Sequence, residues 1–346
     1  VRASPPLPSP PRIAAASLWL PAQRDTVREA LAAGRVGRED AERLGYTEVA
    51  CSPDVSAPEM AVLAGREAMA RSGWDGETVD LVAHAWTYHQ GHDFWSPAGY
   101  VARHLGAPHA WAVGIQQMCN GGAAALETAL ARMAADPAVS RCVITTGDRF
   151  PAPAFDRWTG DYEVAYGDSG TALLLDRAEG PYELLSVAGV GRAEFEDMHR
   201  GDDEFSDAPR TLPRIDVRRT KRAFVASGAE PRFAAALIEA ITEAVGTALH
   251  ESGLAPDDPS VKVLALPRLG TGTLAEFFDP AVRKLRLRHA EVLNLGTATG
   301  HLGAGDSAAN LADLDAGGKL APGDVALLLS LGGGFMWSCA AVRAVR

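Results

Sequence analysis

Cysteine is scarce in this chain and badly placed for pairing. The four cysteines, Cys51, Cys119, Cys142 and Cys339, lie far apart, with no C-x-x-C pair among them. That spacing excludes a disulfide framework and argues against a zinc site, so no metal is expected and each cysteine reads as a thiol. An excess of positive charge is absent too: 33 Lys and Arg stand against 44 Asp and Glu, a formal net charge of −11. Phosphate backbones are held by clustered cations, so no nucleic-acid partner is expected. No run of about eighteen apolar residues occurs. The opening Val1-Arg2-Ala3-Ser4-Pro5-Pro6 lacks the apolar middle of a secretory signal. The expectation is a cytoplasmic protein with no membrane partner.

What the chain does have is material for a large core, with 47% hydrophobic residues in a length of 346. That length fits one large or two fused medium domains. Residues 1–12, rich in Pro and Ser, read as a disordered or peripheral lead-in unable to form a helix or a central strand. Beyond Ile13, apolar periodicity predicts helices over 57–72, 96–105 and 121–135, and strands over 79–85, 110–113, 141–146 and 170–176. Later come a helix over 232–252, a strand over 261–266, a helix near 273–284, a strand over 292–295 and a helix from Ser307. Two strands, 325–330 and 337–344, close the pattern. Both portions, 13–178 and 179–346, offer a similar order of elements, so a duplicated five-layer α/β architecture is expected, with a ligand crevice between the halves.

Three places could carry chemistry. Cys119 follows the apolar run Ala110-Trp111-Ala112-Val113 and precedes Gly121-Gly122-Ala123-Ala124-Ala125, which must start a helix. A thiol at a helix N-terminus feels unpaired backbone N–H groups and the positive end of the dipole, which favour the nucleophilic thiolate. The competing reading, a buried small hydrophobe, is preferred for the other three cysteines. The second place runs from Gly296 to Ser307, a glycine-rich loop exposing His301 and Asp306. A His can deprotonate an acceptor while a carboxylate orients it; Asp306 could equally cap the helix that follows. The third is Gly332-Gly333-Gly334-Phe335. It is either a tight turn or a set of N–H groups that joins the N–H of Cys119 in an oxyanion hole.

Two further groups admit two readings each. The basic run Arg210, Arg214, Arg218, Arg219, Lys221 and Arg222 is a solvated segment or a contact for coenzyme A phosphates or an acidic carrier protein. The aromatics Trp86, Tyr88, Phe94 and Trp95, with His89, line an acyl or acceptor pocket or pack in a core or interface.

In this order, the segments resemble the ketosynthase III branch of the thiolase superfamily from about Ile13 onward. Cys119 stands in the place of the active-site cysteine, Tyr166-Gly167-Asp168-Ser169-Gly170 is similar to the G-D-G-A-type turn, and Leu331-Gly332-Gly333-Gly334-Phe335-Met336-Trp337 to the terminal G-G-G-F-x-W. The resemblance implies the thiolase fold, a homodimer, a ping-pong mechanism through an acyl-cysteine and an acyl-coenzyme A or acyl-carrier-protein donor, with no permanently bound cofactor. It also implies that Gly333 supplies the second oxyanion N–H.

The departures from the family pattern bear on the reaction. Condensing members carry a His in a P-H-Q-A-N-like segment and an Asn in an H-G-N-like loop. Here Leu266-Pro267-Arg268-Leu269-Gly270 puts Arg268 in the first place, and Thr299-Gly300-His301 puts His301 in the second. A Cys119, His301 and Asp306 set is similar to that of acyltransferases in antibiotic and polyketide pathways, which implies transfer to a hydroxyl or amine of a sugar or polyketide acceptor. The alternatives are a starter-unit enzyme that primes a carrier protein and a non-catalytic scaffold. Arg268 either binds the carboxylate of a malonyl-type donor or forms a structural ion pair.

Overall fold

The computed structural model describes residues 2–3, 9–207 and 214–345. Arg210 of the basic run, and residues 1 and 4–8 of the proline-rich opening, lie outside them. The first half comprises β1 (Arg12–Trp19), α1 (Ala57–Ser72), β2 (Leu81–Ala85), α2 (Pro97–His104), β3 (Trp111–Ile115), α3 (Gly121–Ala135), β4 (Arg141–Asp148) and β5 (Ser169–Asp176). The second comprises β6 (Tyr182–Gly191), α4 (Val217–Ala226), α5 (Glu230–Glu251), β7 (Val261–Ala265), α6 (Asp279–Leu285), β8 (Glu291–Leu293), α7 (Asp306–Ala316), β9 (Val325–Gly332) and β10 (Met336–Ala344).

In space the strands run β8-β7-β9-β10-β6-β1-β5-β4-β2-β3. Outward from the β6/β1 seam, each half therefore places its first, fifth, fourth, second and third strands in turn. The pairing repeats as well: the second strand of each half is parallel to the third and fourth, and the fifth is antiparallel to both neighbours. β1 and β6 pair at Arg12↔Glu183 and Ile13↔Tyr182.

Helices complete five layers. On the outside, α1 covers β1, β4 and β5, while α5 covers β6 and β10. Between the sheets, α3 touches β2, β3 and β4 on one side and β10 on the other, and α7 touches β1, β5 and β9. A helix packed on both faces needs small side chains, and α3 and α7 bury Ala123, Ala125, Ala129, Ala308, Ala309 and Ala312. Local chemistry sets the ends: α1 starts at a Ser56/Glu59 capping box and stops at left-handed Gly73. α5 has the length and hydropathy of a membrane span. Its apolar face, Phe233, Leu237, Ile241, Val245 and Leu249, is buried in the core beside the second sheet; each such side chain stabilises by about 1.5–3 kcal/mol.

The structure departs from the periodicity in several places. β6 was not predicted; it is paired on both sides, so buried small residues such as Ala188 interrupt the alternation of a half-exposed strand. The helix expected over 273–284 is a short turn, Thr271–Thr273, a π segment, Leu274–Phe278, and then α6. Pro280 lies within that stretch and cannot donate to the helical ladder. The basic run folds into α4, where the Asp216 side chain accepts the N–H of Arg219. In the lead-in, Arg2–Ala3 form a short strand beside β6.

Candidate active site

Between β3 and α3 the chain reverses through a tight turn, with Asn120 N–H donating to Gln117 O (3.2 Å) and Gly121 N–H to Met118 O (2.9 Å). Met118 adopts φ +47°, a left-handed conformation that non-glycine residues rarely take, directly before Cys119. Cys119 precedes Asn120, the N-cap of α3, and so lies at the positive end of the helix dipole. Asn120 caps nothing with its side chain; its Nδ2 donates to Gln117 Oε1 and to Ser338 Oγ on β10. At Gly122 a Cβ would come within 2.5 Å of Ala304 O, so the start of α3 closes on the turn after His301 only because no side chain intervenes.

His301 arrives from the other half. Its backbone is pinned to the Tyr166–Gly167 turn by His301 N–H to Ala165 O (2.8 Å) and Gly167 N–H to His301 O (2.9 Å). His301 Nε2 lies 2.9 Å from Cys119 Sγ, and Nδ1–H donates to Asp306 Oδ2 at 2.7 Å. Burial alone disfavours the imidazolium, but Asp306 and the Cys119 sulfur outweigh it and hold the His301 pKa well above its usual value. Burial likewise pushes the Asp306 carboxyl up, and His301 with Arg268 brings it below the usual carboxylate range. Asp306 does not cap α7: it is the first helical residue, and its oxygens also accept Arg268 N–H (2.8 Å) and Leu302 N–H (2.9 Å). A thiol, an imidazole and a carboxylate in line constitute a nucleophile, base and orienter.

The glycine loop between β9 and β10 lies against the Cys119 turn. A Cβ on Gly332 would sit 2.5 Å from Asn120 N and 2.8 Å from Gln117 O, both backbone atoms that cannot give way. Gly333 is thereby brought beside the turn.

Around this centre lie groups that periodicity did not single out. Asp148, at the end of β4, accepts Thr87, Tyr88 and Ala304 N–H at 2.8–2.9 Å, tying the aromatic loop to the turn after His301; burial pushes its pKa up to about 6. Arg157 grips Asp168 with two bonds of 2.7 Å, which sets the Tyr166–Gly170 turn. The Tyr166 ring lies 5.7 Å from that of His301, and its hydroxyl donates to Asp161, which is paired with buried Lys221 at 2.6 Å. Carboxylates at the ends of apolar strands, as in Thr145-Thr146-Gly147-Asp148, were the available signal for the first of these.

Several expected contacts are corrected. Arg268 is 0% exposed, and its guanidinium bonds Asn310 (3.0 Å), Thr299 (3.0 Å) and Asp313 (2.5 Å). No donor carboxylate reaches a sealed guanidinium, so Arg268 is the structural ion pair; it serves the site through Asp306, by its N–H and its charge. Arg218 pairs with Asp40 and lies over Tyr162, and Arg219 pairs with Asp203. Among these three, only exposed Arg222 has no carboxylate partner in the described structure, bonding the Tyr162 hydroxyl. Trp86 stacks on His84 (5.7 Å). Phe94 is 104% exposed and, with Trp95, borders a surface cleft shared with Ser56, Glu59 and Tyr100. Tyr88 instead turns inward, packing on Phe150 and Phe155, which meet Tyr166. A loop of alternating aromatics carries no sign of which ring turns inward.

Known proteins share this fold. Residues 272–344 match the family described as 3-oxoacyl-[acyl-carrier-protein (ACP)] synthase III C terminal. The beta-ketoacyl-[acyl-carrier-protein] synthase III of Brucella anthropi is 26% identical over 292 residues, 84% of this chain and 85% of its own. Among solved structures, ChlB3, described as an acyltransferase, superposes with a TM-score of 0.87 at 31% identity, covering 97% of this chain and 98% of its own. The priming beta-ketosynthase from the R1128 polyketide pathway, at 18% identity and a TM-score of 0.77 with 98% of each chain covered, shares the fold. The chain belongs to the ketosynthase III-like branch of the thiolase superfamily, with the thiolase fold. Membership of that branch makes it an enzyme of the transferase and condensing class.

Proposed function

We propose that the chain is an acyltransferase that carries an acyl group on Cys119 and passes it to a hydroxyl or amine of a small acceptor such as a glycoside or polyketide. The observation that carries this reading is the 2.9 Å contact between His301 Nε2 and Cys119 Sγ, with Asp306 behind it. In condensing relatives the corresponding places hold a His and an Asn that stabilise a carbanion. Here the first is Arg268, turned into the protein, and the second is a base. ChlB3, itself described as an acyltransferase, adds support.

Cys119 Sγ, whose proton His301 Nε2 holds, attacks the donor carbonyl. The N–H groups of Cys119 and Gly333 receive the oxyanion. Collapse expels the donor thiolate, which takes the proton from His301, and leaves a thioester on Cys119. The acceptor hydroxyl then gives its proton to His301 as its oxygen attacks, and the Cys119 thiolate leaves. A cavity of about 600 Å³ offers a place for the donor, coenzyme A or a carrier's phosphopantetheine. Its apolar walls include Met198, Phe224, Phe233 and Phe277, and Arg222 stands at its border to meet phosphate.

The test supplies acyl-coenzyme A with either a hydroxylated acceptor or malonyl-carrier protein. The expected products are an acyl ester and no carbon dioxide. Carbon dioxide release with a β-ketoacyl product would instead make it a starter-unit enzyme, and failure of every thioester to load would favour the scaffold.

The proposal includes a homodimer. Edge strand β3, Trp-Ala-Val-Gly-Ile, is exposed at Trp111 (54%) and Gly114 and half-buried at its other three residues, and carries no charge to block pairing. Antiparallel pairing with a second copy would cover it. Sedimentation velocity is expected to give twice the chain mass; a monomer at micromolar concentration refutes this.

A further inference from the structure

Met118 holds a left-handed backbone, φ +47°, which a non-glycine residue keeps only where its surroundings enforce it. Any relaxation of that residue moves Cys119, the next in the chain, whose sulfur has to stay 2.9 Å from His301 Nε2. The two backbone bonds that close the turn, Asn120 N–H to Gln117 O and Gly121 N–H to Met118 O, join neighbours within it. They set its curvature but do not anchor it to the half of the molecule that carries His301.

One side chain supplies that anchor. Asn120 is fully buried, and its Nδ2 donates to Gln117 Oε1 at 2.9 Å, on the near side of Met118, and to Ser338 Oγ at 3.0 Å, 218 residues away on β10. Ser338 is itself buried and held in the ladder between β9 and β6. The amide is not there to cap α3, because it makes no side-chain bond to the helix. Nor is it there for stability alone: Asn120 Oδ1 is buried with no hydrogen-bond partner, which destabilises the fold and which an alanine would avoid.

We propose that Asn120 is a positioning residue: its amide clamps the Gln117–Cys119 turn to β10, holds Met118 left-handed and so keeps Cys119 paired with His301. The inference rests on Cys119 being the nucleophile.

The experiment measures alkylation of Cys119 by iodoacetamide from pH 6 to 8, followed by peptide mass so that half-buried Cys51 is read separately. In the unaltered protein the rate is expected to change little with pH, since His301 holds the proton. In Asn120→Ala it is expected to be about tenfold or more lower at pH 6 and to climb about tenfold per pH unit, as for an ordinary thiol. Ser338→Ala, which cuts only the tie to β10, should shift the profile in the same direction, and it carries the test if Asn120→Ala does not fold. Met118→Gly added to either variant is expected to restore most of the lost rate, because glycine takes a positive φ without strain. A flat profile in either variant, or a loss that Met118→Gly leaves untouched, overturns the proposal. If Cys119 of the unaltered protein already titrates as an ordinary thiol, there is no pair to hold and the nucleophile reading fails first, a result distinct from a flat profile in the variants.

Discussion

With Cys119→Ala, no acyl adduct is expected after incubation with a thioester that loads the unaltered protein, and transfer should fall by about 10⁴-fold. The size follows from the site: without the sulfur, His301 and Asp306 have no nucleophile to serve, and only binding and the oxyanion donors remain. The other cysteines do not obscure the readout. Burial pushes the thiols of Cys142 and Cys339 up to about 12, so neither presents a thiolate at neutral pH. Cys51 is partly exposed. An adduct persisting in Cys119→Ala and mapped to Cys51 by peptide mass would move the nucleophile and remove the proposed mechanism.

Asp306→Asn is expected to lower kcat by about 10³–10⁴-fold with little change in KM, because the neutral amide neither fixes the His301 tautomer nor stabilises its cation. The same pair makes a stability prediction. The Asp306 carboxyl is held below its ordinary range, so its contribution is present above about pH 4 and lost as pH falls through the lower folded value. His301 is held above its ordinary range, so its contribution is complete below about pH 6.5 and lost as pH rises through the raised folded value. The stability lost in Asp306→Asn, measured by urea midpoint, should be greatest between about pH 4 and 6.5 and shrink on the alkaline side. A loss that is constant from acid to alkaline pH would show that no imidazolium–carboxylate pair exists.

Cys119 was legible because its neighbours specify a strand, a turn and a helix within a few residues, and α3 begins at Gly121 as the small-residue run requires. The order of His301, Asp306 and the triglycine was legible through family likeness. Periodicity could not supply the rest. Arg268 lies in a segment that aligns with a catalytic position, yet its guanidinium finds Asn310, Thr299 and Asp313 inside the protein. Those partners lie 31 to 45 residues away in sequence. Asp306, which suited a cap equally well, spends its oxygens on His301, Arg268 N–H and Leu302 N–H.

By itself, the sequence determined the local matters: where most helices and strands lie, that the two halves repeat, and that a thiol stands just ahead of α3. These depend on side-chain period, small-residue runs and caps, all of which act within a few residues. Only the tertiary structure decided which polar groups meet. It set Cys119 against His301 across 182 residues, turned Arg268 inward, and tied Asn120 to Ser338. Burial and pairing of a charged or polar side chain depend on neighbours brought together by the layers, and no local pattern encodes them.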